Sequence, residues 1–151
     1  MTFDSDNLKD KLKAEMADIY SPIVIDHALH PRNTGDIHNA NGFSKVISSC
    51  GDDTMEIWLK VENKIIKEAV FRTDACAATI AVGSMVTELA KGRRIVEAMR
   101  INEDDILKAL GGLPTGNEHC ATLAVAALHE AVKSYLEYNR DPWKLNYRKN
   151  L

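Results

Sequence analysis

No apolar run in this chain approaches the roughly 20 residues that a membrane-spanning helix needs, so nothing in it reads as a bilayer segment. Basic residues are not in excess. Lys and Arg number 19 against 22 Asp and Glu, a mixed-sign net charge of −3 that offers no electropositive face to a nucleic-acid backbone. The opening residues, Met1-Thr2-Phe3-Asp4-Ser5-Asp6, lack both the apolar core of a secretory signal and the Arg and Ser enrichment of a transit peptide, and a cytoplasmic location is expected. Cysteine is scarce. The three present, Cys50, Cys76 and Cys120, are too far apart for a CxxC pair. An odd number leaves one thiol outside any disulfide framework, and in a reducing cytosol all three are expected free, for metal or sulfur chemistry or for simple burial. Internal repeats, low-complexity tracts and domain linkers are absent as well.

What is present is an ordinary globular composition, 45% hydrophobic and 27% charged over 151 residues, enough for one domain with a real core. Residues 7–19 space Leu12, Met16 and Ile19 as a helix does. Ser21 then caps a second helix with Pro22 at its first position, carrying Ile23, Val24, Ile25 and Leu29 and stopping before Pro31. Pro31-Arg32-Asn33-Thr34-Gly35 reads as a turn. The middle is β. Residues 43–49 form one candidate strand. Met55, Ile57, Leu59 and Val61 alternate with Glu56, Trp58 and Lys60 in a second, half-buried one. Residues 65–73 form a third, after a turn at Glu62-Asn63-Lys64. The short connections make an antiparallel meander.

The remainder is helical. Residues 77–90 are rich in Ala, Ile, Val and Met ahead of Gly92. A short helix is expected over 94–99, another after an Asn102 cap with acidic residues in its first turn, and a long one over about 118–138. The apolar face of the last comprises Leu123, Val125, Ala127, Leu128, Val132 and Leu136. The expected fold class is α+β, a three-stranded antiparallel meander covered on one face by helices, with a metal site at one sheet edge. The expected divisions are a helical extension over 1–19, a main domain over 20–140 and a tail over 141–151.

Topology bears on the cysteines. In an up-down-up meander the first and third strands end at the same sheet edge, so Cys50 and Cys76 are expected there, with Asp52 in the intervening turn. If the last helix starts at that edge, His119 and Cys120 join them. Cys76 and Cys120 both sit near expected helix N-termini, where unpaired N–H groups favour thiolate. Three thiolates with His119 or Asp52 would suit tetrahedral zinc, and the same soft ligands suit iron–sulfur clusters. A hard carboxylate or an imidazole in place of a fourth thiolate favours exchange over permanent storage. Taken singly, each residue has a plainer reading. A lone cysteine is more often a small core residue, Asp52-Asp53 turn chemistry, and His119 a surface residue. His27 and His30 read as packing or helix-end charge, Arg93-Arg94 as solvated, and Trp58 as packing.

The joint pattern resembles the IscU / NifU N-terminal family of iron–sulfur cluster scaffold proteins. The likeness runs from Tyr20 to about Tyr138 through Tyr20-Ser21, Asp26-His27, Pro31-Arg32-Asn33-Thr34-Gly35, Cys50-Gly51-Asp52, Thr73-Asp74-Ala75-Cys76 and His119-Cys120. All three cysteines fall on motif positions. The resemblance implies a scaffold rather than an enzyme, on which a labile [2Fe–2S] cluster is assembled and then passed to apo-proteins. It implies Cys50, Cys76 and Cys120 as ligands of iron and cluster, with zinc able to enter the same site. Cys120 would also accept persulfide sulfur, Asp52 would keep the cluster labile, and His119 is a candidate fourth ligand. Tyr20 matches a family tyrosine implicated in persulfide reduction through dimerisation. The implied partners are a cysteine desulfurase of the IscS/NifS type, an electron donor such as ferredoxin, apo iron–sulfur proteins and a further copy of the chain.

Two departures stand out. Ala75 replaces a glycine, and Leu113-Pro114-Thr115-Gly116-Asn117-Glu118 replaces the Leu-Pro-Pro-Val-Lys read by an Hsp70-type chaperone, which argues against that partner. The alternative is a zinc-bound sulfurtransferase of the SufU type. That branch carries an insertion before the last cysteine and lacks the histidine, whereas this chain has no insertion and keeps His119.

Overall fold

The computed structural model describes residues 10–11, 14–48 and 53–140. Cys50 and Asp52 lie outside the described residues, as does the 141–151 tail. Of the helix expected over residues 7–19, residues 10–11 and 14–16 are helical.

The elements run α1 (Pro22–Leu29), β1 (Gly42–Ile47), β2 (Thr54–Glu62), β3 (Ile65–Thr73), α2 (Ala77–Ala90), α3 (Ile95–Ala98), α4 (Glu103–Leu110) and α5 (Glu118–Arg140). The sheet is the expected three-stranded antiparallel meander, in the order β1-β2-β3. Ser21 caps α1, its Oγ accepting from the Val24 N–H at 3.1 Å and donating to the Leu110 carbonyl, which ties the start of α1 to the end of α4. Asn102 and Asp105 form a reciprocal capping box on α4, and Gly111 closes that helix in the left-handed region at φ 77°.

The alternation in β2 sends Met55, Ile57, Leu59 and Val61 to the helix-covered face, all buried. There α5 lies along β1 and β2 while α2 lies along β3. Two glycines permit this approach. A Cβ on Gly42 would stand 2.8 Å from the Ala131 carbonyl of α5, and one on Gly83 would meet the Phe71 ring at 2.5 Å. Ser44 donates to the Ala127 carbonyl at 2.6 Å, and the Phe43 N–H reaches Ser134 Oγ at 3.3 Å. Leu123, Val125, Ala127, Leu128 and Val132 are buried as expected. Leu136 is not: it is 47% exposed, about 100° around the helix from buried Tyr135 and so at the rim of the apolar stripe.

On the opposite sheet face Trp58 packs against Phe43, centroids 5.2 Å apart, and carries the Arg72 guanidinium 5.1 Å from its ring centre, the packing role expected of it. His27 is also a packing residue. The Ser84 hydroxyl accepts from the Arg32 N–H at 2.9 Å and pairs with His27 Nδ1 at 2.7 Å, while burial holds the imidazole pKa below its ordinary value. Pro31-Arg32-Asn33-Thr34-Gly35 is more than a turn. The Asn33 carbonyl accepts from Phe71 at 2.9 Å and the Gly35 N–H donates back at 3.1 Å, so the segment pairs alongside β3. Arg93 does likewise further along, its carbonyl accepting from Ile66 at 2.8 Å.

The β2–β3 hairpin turns through Asn63 and Lys64, at φ 53° and 63°. Both central residues are left-handed, the geometry of a two-residue type I′ turn, and lysine is a poor occupant of that region. Lys64→Gly is expected to raise stability by about 0.5–1 kcal/mol, the gain from relieved strain being partly offset by the extra freedom of the unfolded chain. Denaturant titration with an unchanged m-value would show it. A loss of stability would mean that the Lys64 side chain contributes contacts outweighing the strain.

Candidate metal centre

Three element termini meet at the edge where β1 ends and β2 begins. Ser48 and Asp53 face each other there, the Ser48 N–H donating to the Asp53 carbonyl at 2.7 Å. Cys76 is the N-cap residue of α2, in extended backbone at φ −73° and ψ 176°, and exposed. Cys120 lies in the first turn of α5, its N–H donating to the Asn117 carbonyl at 3.0 Å and its side chain buried. The last helix does start at this edge, so Cys76 and Cys120 come together as the topology argument required.

The two thiols sit in different fields. Partial burial of Cys76 acts to raise its pKa. The Thr79 and Ala78 amides, joined by the Thr79 hydroxyl whenever it turns to this sulfur, outweigh it, and the net shift is downward. None of these contacts amounts to a formal side-chain cap, yet the sulfur rests in the positive field of the first helical turn. For Cys120 burial dominates and pushes the thiol up. The Thr79 hydroxyl opposes that, while Cys76 and Asp53 add to it. The expectation that both cysteines would favour thiolate therefore holds for Cys76 only. Cys120 shares the helix start, but desolvation overrides the amide field, and a bound cation would favour its ionised form.

His119 is exposed, and its tautomer follows from its partner. A carbonyl oxygen can only accept, so the 2.9 Å contact between His119 Nδ1 and the Gly116 carbonyl requires the proton on Nδ1. In the neutral ring that leaves the lone pair on Nε2, which faces Cys120 Sγ at 3.7 Å and Asp53 Oδ2 at 3.8 Å. A backbone carbonyl holding one imidazole nitrogen while the other is free is the usual support of a metal-binding histidine. The ligand atoms of Asp53, His119 and Cys120 all lie within 4.8 Å of one another. Tetrahedral zinc with ordinary Zn–N and Zn–S bonds spaces its ligands by about 3.3–3.8 Å, so this set fits a cation with little movement.

Asp53 was read as turn chemistry, and here it is the carboxylate beside His119. The signal for it lay in the period-2 alternation. Met55, Ile57 and Leu59 point to the helix-covered face, and one step back along the same parity reaches Asp53. Thr79 was missed altogether. It is fully buried, and its hydroxyl donates to Cys120 Sγ at 3.4 Å while lying 3.6 Å from Cys76 Sγ. Tyr20 is only half-buried, packed against the core.

An α+β sheet-and-helix fold gathering two cysteine sulfurs, an imidazole and a carboxylate at one edge has the ligand set of a metal- or cluster-handling protein. Residues 19–141 match the family described as NifU-like N terminal domain, and the chain belongs to that family. It is 44% identical over 121 residues to the iron-sulfur cluster assembly scaffold protein IscU 1 of Archaeoglobus fulgidus, covering 80% of this chain and 79% of that one. It is 41% identical over 119 residues to the corresponding IscU protein of Aquifex aeolicus, 78% and 76% being covered. Among solved structures the fold is shared with a NifU-like N-terminal protein of Brucella abortus, at TM-score 0.62 and 20% identity over 81% of this chain and 97% of that one. It is shared too with a protein of Fervidobacterium islandicum described as an iron-sulfur cluster assembly scaffold for the SUF system, at TM-score 0.61 and 21% identity over 76% and 97%. Among the described residues no helix is long and apolar enough to cross a membrane.

Proposed function

We propose that this chain is a scaffold for iron–sulfur cluster assembly, building a [2Fe–2S] cluster from iron, desulfurase-derived sulfur and electrons and handing it to apo-proteins. The observation that carries the reading is the convergence of Cys76, Cys120 and His119 on one sheet edge, with a carboxylate beside them. Cys50 is two residues from Ser48 and three from Asp53 in sequence, which supports counting it with them as a third thiolate. Asp52 and Asp53 are then alternative carboxylates for the labile position, and His119 the imidazole alternative. The cluster is cargo. Three thiolates and a weaker fourth ligand suit loading and release better than storage.

Cys120 is the proposed sulfur acceptor. Each persulfide sulfur it receives is at the sulfane level and needs two electrons to become sulfide, which calls for an electron donor of the ferredoxin type. Two features favour this reading over a SufU-type zinc sulfurtransferase. His119 is present, and only seven residues, 111–117, separate α4 from α5, leaving no insertion before the last cysteine. Residues 20–140 form the working unit in a cytoplasmic setting.

Anaerobic reconstitution with ferrous iron, cysteine and a desulfurase is expected to give visible absorption that declines as an apo-ferredoxin is added. The Asp52→Ala and Asp53→Ala variants are both expected to load the cluster and release it more slowly. Persistent absence of any chromophore, with only zinc bound, would replace this reading with the zinc sulfurtransferase. Unchanged or faster transfer from both variants would remove the carboxylates from the lability role.

A further inference from the structure

We propose that Thr79 is a positioning residue for the two thiolates, its hydroxyl donating a hydrogen bond to the Cys120 sulfur while setting the spacing between Cys120 and Cys76. The inference rests on the metal-centre reading and goes beyond it to a residue that is not itself a ligand.

Its basis is the hydroxyl's choice of partner. Threonine within a helix ordinarily bonds a carbonyl three or four residues back. Thr87, two turns along the same helix, does so, its Oγ1 reaching the Gly83 and Ser84 carbonyls at 2.9 Å each. Thr79 is equally buried, yet the partners recorded for its hydroxyl are two sulfurs, Cys120 at 3.4 Å and Cys76 at 3.6 Å. A neutral thiol is a weak acceptor for a buried hydroxyl, whereas an ionised, metal-held sulfur is a strong one. The group is thus best satisfied when the centre is loaded. One hydroxyl carries one proton, so it serves one sulfur at a time, and the geometry assigns it to Cys120. A hydrogen bond to a ligating sulfur draws electron density from it and tunes the metal, as second-shell partners do.

The probe is Co(II) alone, added anaerobically to the full chain and read by its sulfur-to-cobalt charge-transfer band. Thr79→Val keeps the shape and removes the hydroxyl. It is expected to move the band to longer wavelength, because the unbonded sulfur gives up its electron more easily, and to weaken Co(II) binding by about 10-fold. Thr79→Ser, which keeps the hydroxyl, is expected to restore the band position. A purely packing role predicts the reverse order, with valine matching the wild type and serine departing from it, and that result would overturn the proposal. Coincident bands for all three proteins would overturn it too. If the valine variant does not fold by circular dichroism, Thr79→Ala against Thr79→Ser makes the same comparison. A shifted band in a protein that never forms an iron–sulfur chromophore would sink the scaffold reading and keep this one. A normal chromophore with an unmoved band would do the opposite. No charge-transfer band in the wild type would overturn both.

Discussion

Replacing Cys120 with alanine is expected to abolish the visible chromophore on anaerobic reconstitution while leaving the fold in place. The residue meets Thr79 and His119, and its sulfur lies within 4.8 Å of the Asp53 carboxylate. Losing a group that only supports a ligand costs about 10–100-fold in affinity, and losing this sulfur is expected to exceed that range. Stability should change by only about 1 kcal/mol, because alanine keeps the helix and leaves a void of one sulfur atom. Absorption spectra and thermal melts on the same samples separate the two effects. A Cys120→Ala protein that still takes up a full cluster would take Cys120 out of the ligand set.

Gly83→Ala is expected to destabilise the fold by about 1–2 kcal/mol, a Tm lowered by several degrees. In an exposed helix this substitution would stabilise by about 1 kcal/mol through propensity alone. Here the new methyl would lie 2.5 and 2.6 Å from two atoms of the Phe71 ring and 3.1 Å from Met55 Cε, and Phe71 and Met55 are both fully enclosed. The ring cannot swing clear, so α2 must lift from β3. That movement would carry Cys76 and Thr79 away from Cys120, and cobalt binding should weaken in parallel with stability. A raised Tm would show that α2 rests less tightly on the sheet than these distances require.

Much of this architecture was legible from residue order alone. The limits of β3 and α2, at Ile65–Thr73 and Ala77–Ala90, coincide with those read from the sequence, because a turn or cap residue marks each end. Ser21 and Asn102 fulfil their capping roles for the same local reason. The meander put Cys76 at the correct edge, and the start of α5 brought Cys120 to it. What escaped was non-local. The thiol of Cys120 is governed by burial among residues from other elements, which helix position cannot reveal. Thr79 carries no motif, and its importance comes from the sulfur of a helix 41 residues further along. Asp53 hides in a pair of adjacent aspartates that reads as a turn, and only strand parity with Met55 and Ile57 singles it out. Leu136 has the right periodicity for the buried face and fails at its rim.

The pairing along β3 has a consequence for the company this protein keeps. Its outer edge is capped by the chain's own 33–35 segment and by Gly92 and Arg93, which occupy the amides and carbonyls of Phe71 and Ile66. Strands left open recruit other strands, and such unions are slow to part and drift toward aggregates. With that route closed along these stretches, a partner that meets this edge docks through side chains, in contacts that dissolve as readily as they form. An assembly scaffold that meets a sulfur donor and apo-protein acceptors in turn depends on such brief encounters.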